Sequence, residues 1–170
     1  VSHLEQRLAV TCPLAQADAR LGEFFREYGN SAGDTARLTL RVSVGVPGLV
    51  TPLTLHRTVV ATIQPHRLPA DTTPRYTVQW APETPGPFPL FAGELAVESG
   101  DDYDSFTLRL DGNYTPPLGL IGKGFDIAVG NRIARATAND LLHTVRASIE
   151  RHFQANEARK HQTIPHSEES

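Results

Sequence analysis

The side chains in this sequence that could do chemistry are scattered, and each is judged by what its type and spacing require. Gly119-Leu120-Ile121-Gly122-Lys123-Gly124 approaches a phosphate-cradling loop. Such a loop needs a glycine five residues before its Gly-Lys pair and a serine or threonine after the lysine. The chain has Pro117 and Gly124 there, so phosphate binding is not expected. Asp101-Asp102-Tyr103-Asp104 gathers carboxylates closely enough to suggest a cation, but between two alternating segments it reads first as an acidic hairpin turn. The histidines, His3, His56, His66, His143, His152, His161 and His166, show no metal-ligand spacing and are expected at the surface. Cys12 is the only cysteine. It can form no intramolecular disulfide, and with no basic group near it in sequence it reads as a buried, inert thiol. HExxH, GxSxG, paired CxxC and EF-hand patterns are missing, so neither a metal nor a cofactor is expected.

What remains is apolar. Tyr76, Trp80, Phe91, Leu95 and Phe106 fall on the hydrophobic parity of alternating segments, where such residues either pack a core or line a small-molecule pocket. Arg57 is the polar exception, because it shares parity with Leu55, Val59, Ala61 and Ile63. Two arrangements satisfy this. The guanidinium either points inward, where it could pair a ligand carboxylate through two parallel hydrogen bonds, or a bulge shifts the phase and sends it to solvent. Tyr114, at the turn toward the last helix, offers a hydroxyl or a packing ring.

These side chains need elements to position them, and the chain divides into a β-rich middle between two helical ends. Leu4, Leu8 and Val10 sit among polar residues in a short first strand over 4–11. In PLAQADARLGEFFREYG, Leu14, Ala17, Leu21, Phe24, Phe25 and Tyr28 recur at helical spacing, with Pro13 suited to the first turn and Gly29 to the stop. Five segments of period two follow, over 36–46, 53–64, 75–80, 90–98 and 105–112. In the first of them Leu38, Leu40, Val42 and Val44 oppose Arg37, Thr39, Arg41 and Ser43, so one sheet face is buried and the other wet. Finally Ile127, Ala134, Ala138, Leu141, Leu142, Val145, Ile149 and Phe153 form one stripe of a long helix ending near Phe153. Residues 156–170 lack an apolar face. The expected division is a single domain over 1–155 and a polar, disordered tail over 156–170.

Composition agrees with that division. A chain of 170 residues, 39% hydrophobic and 21% charged, suits one domain that hides roughly 70% of its unfolded surface. A formal charge of -3 argues against a nucleic-acid partner held by bulk positive charge. No apolar run is long enough for a transmembrane helix, and VSHLEQRLAV lacks a signal-peptide layout, so the expected location is the cytoplasm.

The order of elements, one strand, a helical insertion, a run of antiparallel strands and a long last helix, resembles the START-like, or SRPBCC, superfamily. The most particular stretch is LDGNYTPPLGLIGKGFDIAVGNRIARATANDLLHTVRASIERHF, where the last strand reaches Gly112-Asn113-Tyr114 and the chain crosses Pro116-Pro117-Leu118-Gly119 into the closing helix. The resemblance is to uncharacterised bacterial members more than to the named polyketide cyclases or plant ligand binders, and it spans residues 4–155. It implies an α+β helix-grip fold, in which a curved antiparallel sheet of six or seven strands wraps a long C-terminal helix around an apolar cavity. Within such a cavity the expected function is non-catalytic binding of a lipid-like or polyketide-like small molecule, with Arg57, Tyr76, Trp80, Phe91, Leu95, Phe106 and Tyr114, picked out by their parity and position, as the candidate binding residues. A cyclase, dehydratase or hydrolase would instead need a converging acid and base from Arg57, Glu94 or Tyr114, although Glu94 has outward parity. A protein-interaction module would show an exposed apolar patch.

Overall fold

The computed structural model describes residues 2–29, 35–46, 53–66, 74–86, 88–115 and 127–162. In chain order these form β1 (Ser2–Val10), a single 3-10 turn (Leu14–Gln16), α1 (Ala17–Tyr28), β2 (Ala36–Val46), β3 (Leu53–His66), β4 (Arg75–Pro82), β5 (Leu90–Ser99), β6 (Phe106–Thr115) and α2 (Ile127–Gln162). The six strands make one antiparallel sheet in the order β1-β6-β5-β4-β3-β2. Strands β2 to β6 form a meander, and β1 returns to pair with the last of them. Because β1 and β2 stand on opposite edges, the segment carrying α1 crosses the width of the sheet at one end.

Alternation decides which face is buried. Leu38, Leu40, Val42 and Val44 of β2 are buried while Arg37, Thr39, Arg41 and Ser43 face outward, and the register continues this parity across every strand pair. The long helix covers the apolar face. It packs chiefly on β1 and β2, the two edges, and also meets β6. A flat sheet could not present both its edges to one helix, so the sheet must curl around it. Near the middle of the sheet Gly93 of β5 stands directly opposite Gly112 of β6. A Cβ on Gly93 would lie 2.3 Å from the Asp111 carbonyl oxygen, and one on Gly112 would lie 2.5 Å from that of Ala92. Only glycine permits strands to approach so closely.

The structure is therefore the expected α+β helix-grip architecture, with six strands among the described residues. Several strand ends shift by one or two residues, and three boundaries move further. Strand β6 does not stop at Gly112 but runs to Thr115, because β1 starts at Ser2 and supplies partners as far as Tyr114. The amino-terminal helix begins with a 3-10 turn after Pro13, and α1 proper starts at Ala17. Helix α2 does not end near Phe153 but continues to Gln162, so the first part of the expected tail is helical. These turns are held by polar contacts instead of an apolar face. Lys160 donates to Glu157 at 2.9 Å, and Arg159 and Lys160 place positive charge at the helix carboxyl end, where it is favourable. Residues 163–170 lie outside the described residues, as does the glycine-rich segment 119–124.

Candidate functional site

The aromatic side chains are placed by one row of the inner face. Leu38, Ala61, Trp80, Phe91 and Tyr114 are successive cross-strand neighbours from β2 to β6, so their side chains point the same way. Trp80 and Phe91 stack with ring centroids 4.1 Å apart and an interplanar angle of 11°. The indole Nε1 donates to the Pro89 carbonyl at 3.2 Å, which satisfies the one polar atom of a buried ring. The Phe91 ring then extends over the Gly93–Gly112 pair, reaching 2.6 Å from where a Cβ would stand on either glycine. Tyr114 is not at a turn, as its sequence neighbourhood suggests. It lies within β6, buried, with β1 and β5 on either side.

Arg57 is settled by register. Pairing between β2 and β3 is unbroken from Ala36–Ile63 to Val46–Leu53, with Val42 directly opposite Arg57. No bulge shifts the phase. The arginine therefore leaves the strand on the same face as buried Val42 and Val59, and it is itself half-buried. Strand β4 pairs with β3 only as far as Val59–Pro82. Beyond it the chain turns away through 83–86, anchored by the Glu83 amide on the Thr58 carbonyl at 2.9 Å. That turn brings Gly86 against the guanidinium, whose Nη2 would be 3.1 Å from a Cβ there. Among the described residues no carboxylate or hydrogen-bond acceptor holds this guanidinium. Phe88, just past the turn, is buried.

The other candidates lie elsewhere. Tyr76 pairs with Leu95, which pairs with Leu110, forming a separate inner row. The Tyr76 ring meets Phe25 of α1 at 5.1 Å, and burial drives its phenol pKa upward. Phe106 sits at the start of β6 opposite Val10, fully buried. Pro65, the partner of Tyr76, is eight residues along β3 from Arg57, about 26 Å of strand. Thus the structure brings together Trp80, Phe91 and Tyr114, with Arg57 beyond them at one end, and places Tyr76, Leu95 and Phe106 toward the α1 end. Glu94 lies on the opposite, outer face, where it accepts from Arg75 at 3.0 Å. Arg57, Glu94 and Tyr114 consequently do not converge on one point.

A polar cluster that no motif or spacing groups joins the two helices. Glu27 of α1 accepts from Ser148 Oγ at 2.9 Å and lies 2.9 Å from His152 Nε2, and Arg151 donates to its other oxygen. His152 is not a free surface histidine, for its second ring nitrogen is 3.8 Å from Glu23. Burial by itself would raise the Glu27 pKa, but the hydrogen bonds from His152, Ser148 and Arg151 outweigh it and hold the carboxyl below its ordinary range. No sequence signal pairs residues so far apart. Cys12 is buried as expected, and desolvation pushes its thiol up to about 11, a poor nucleophile at neutral pH. The acidic segment 101–104 is a turn between β5 and β6, in which the Asp104 amide donates to Asp102 at 3.0 Å. No helix among the described residues is long and apolar enough to cross a membrane.

No protein-family model matches the chain, and no curated protein matches it in sequence. Solved structures do. A conserved protein from Geobacillus kaustophilus is similar with a TM-score of 0.51 at 10% identity, covering 88% of this chain and 96% of that one. A START superfamily protein from Mycobacterium smegmatis has a TM-score of 0.46 at 11% identity, covering 90% and 97%. An uncharacterised protein from Bacillus thuringiensis has a TM-score of 0.45 at 12% identity, covering 90% and 99%. At 10% identity the Geobacillus likeness speaks for the fold alone. Strand order and the long C-terminal helix held between the sheet edges make this fold an α+β helix grip.

Proposed function

We propose that this protein binds a hydrophobic small molecule with an anionic end, without transforming it. The apolar part would lie among Trp80, Phe91, Phe88 and Tyr114, and the acidic end would meet Arg57. One observation carries this reading: an arginine leaves the strand on the apolar face, by an unbroken register, yet has no acidic partner among the described residues. A guanidinium so placed is expected to have a partner, because partial burial removes water that would otherwise satisfy its donors. Its planar donor fork suits a carboxylate. Tyr76, Leu95 and Phe106, packed toward α1, serve the core in this reading.

The test uses Trp80, the only tryptophan, as reporter. Fatty acids, aromatic carboxylic acids and their methyl esters are titrated against the protein while tryptophan emission and the thermal midpoint are followed, since a ligand selective for the folded state raises stability. Carboxylates are expected to bind. Arg57→Leu should weaken them about tenfold or more, as for a charge-assisted hydrogen bond of about 1.5–3 kcal/mol, while leaving the esters unchanged. Equal losses for acids and esters would remove Arg57 from the site. No response from any compound would overturn the binding reading.

A further inference from the structure

The outer face of the sheet orders its charges in rows. Register sets Glu5, Asp111 and Glu94 side by side across β1, β6 and β5, and the next row holds Arg7, Arg109, Ala96 and Arg75. Like charges directly opposite one another destabilise a sheet, so the acidic row depends on its neighbours. Arg7 Nε reaches Glu5 Oε1 at 2.8 Å, and Arg109 Nη1 reaches Asp111 Oδ2 at 3.3 Å. Both arginines are also drawn to Glu98, at 3.2 Å and 2.9 Å. Two guanidiniums thus serve three carboxylates, and all of that compensation comes from one side. On the other side of the acidic row stand His3 and, directly opposite it, Asn113. His3 Nε2 faces Asp111 Oδ1, the oxygen that Arg109 does not take, at 3.7 Å.

We propose that His3, Glu5 and Asp111 form a binding site for one divalent transition-metal ion of the zinc(II) type, on the outer face and independent of Arg57. One donor atom from each residue lies within 4.8 Å of the others. Zinc bound at about 2.0–2.2 Å holds its ligands about 3.3–3.6 Å apart, so small side-chain rotations close the site. Two carboxylates and an imidazole favour zinc, nickel or cobalt over magnesium, which binds all-oxygen sets. The arginines orient the ligands by taking one oxygen of each carboxylate and leaving the other for the metal. Water completes the coordination, because His3 is 61% exposed. The bound ion ties the start of β1, an edge strand, to β6.

The test is calorimetric titration of tag-free protein with zinc chloride in a non-coordinating buffer, with thermal unfolding in parallel. One equivalent is expected to bind below about 1 mM and to raise the thermal midpoint, whereas magnesium chloride should do neither. His3→Ala and Asp111→Asn should each weaken zinc about tenfold or more. His161→Ala, at an exposed position on α2, should leave it unchanged. His3 is exposed and Asp111 half-buried on the outer face, and the wild-type titration stands even if a variant misfolds. No zinc binding at about 1 mM overturns the site. So does binding that survives both ligand substitutions, or that depends on His161.

Discussion

Gly112 shows how much a single position can be asked to do. It faces Gly93 across β5 and β6 beneath the Phe91 ring, and the atoms nearest to an added Cβ include the Ala92 carbonyl oxygen at 2.5 Å and the Gly93 Cα at 2.6 Å. Backbone cannot rotate away as a flexible side chain can. Gly112→Ala should therefore destabilise the protein by about 1–3 kcal/mol, the cost typical of an overpacked core, measured by urea unfolding. Shortening Phe91 in the same chain should not restore stability, since the backbone clash persists. An unchanged midpoint for Gly112→Ala would mean that the strands can separate there without cost. In the sequence this glycine reads as the end of a strand, because period-two alternation gives no hint that β1 will return alongside and extend β6.

Between elements, the contact of α1 with α2 depends on charge as much as on apolar packing. Glu27 meets Ser148, Arg151 and His152, while Arg20, two turns earlier on α1, donates to the His152 carbonyl at 3.4 Å. The Glu27 pKa is lowered in the folded protein. The unfolded chain thus takes up its proton at higher pH than the folded one, so this carboxylate's contribution is complete above the ordinary glutamate range, near about 4.3, and is lost as pH falls through the lowered folded value. Glu27→Gln should lower the thermal midpoint at pH 7 and make it less sensitive to acid between about pH 5 and 3. Parallel midpoint–pH curves for variant and wild type would show that Glu27 titrates as it does in the unfolded chain. The apolar stripe of α2 was plain from spacing alone. This clasp was not, since Glu27 and His152 belong to helices that only folding brings together.

For the molecule as a whole, α2 touches both edges of the sheet and α1 as well, so the helix cannot leave without opening the entire core. Unfolding should be a single transition, with Trp80 fluorescence and far-ultraviolet circular dichroism giving the same midpoint. Ile149, fully buried on α2, tests this. Ile149→Ala should lower both signals together by about 2–5 kcal/mol. A change in dichroism alone would mean that helix and sheet fold separately.

The sequence by itself determined what can be encoded locally. Alternation in Leu38 to Val44 and the stripe from Ala134 to Ile149 specified which faces are buried, because an apolar face must be covered whatever covers it. The parity of Arg57 was equally visible. Whether that parity meant an inward side chain or a bulge depended on pairing with Val42, and pairing is a property of two strands. Tertiary structure alone also separated Trp80 and Phe91 from Tyr76 and Phe106, which look equivalent in sequence but lie in different rows. It aligned Glu5 with Asp111 across β1 and β6, more than a hundred residues apart. The physical reason is the same in each case: period fixes the direction of a side chain, but only register and curvature fix its neighbours.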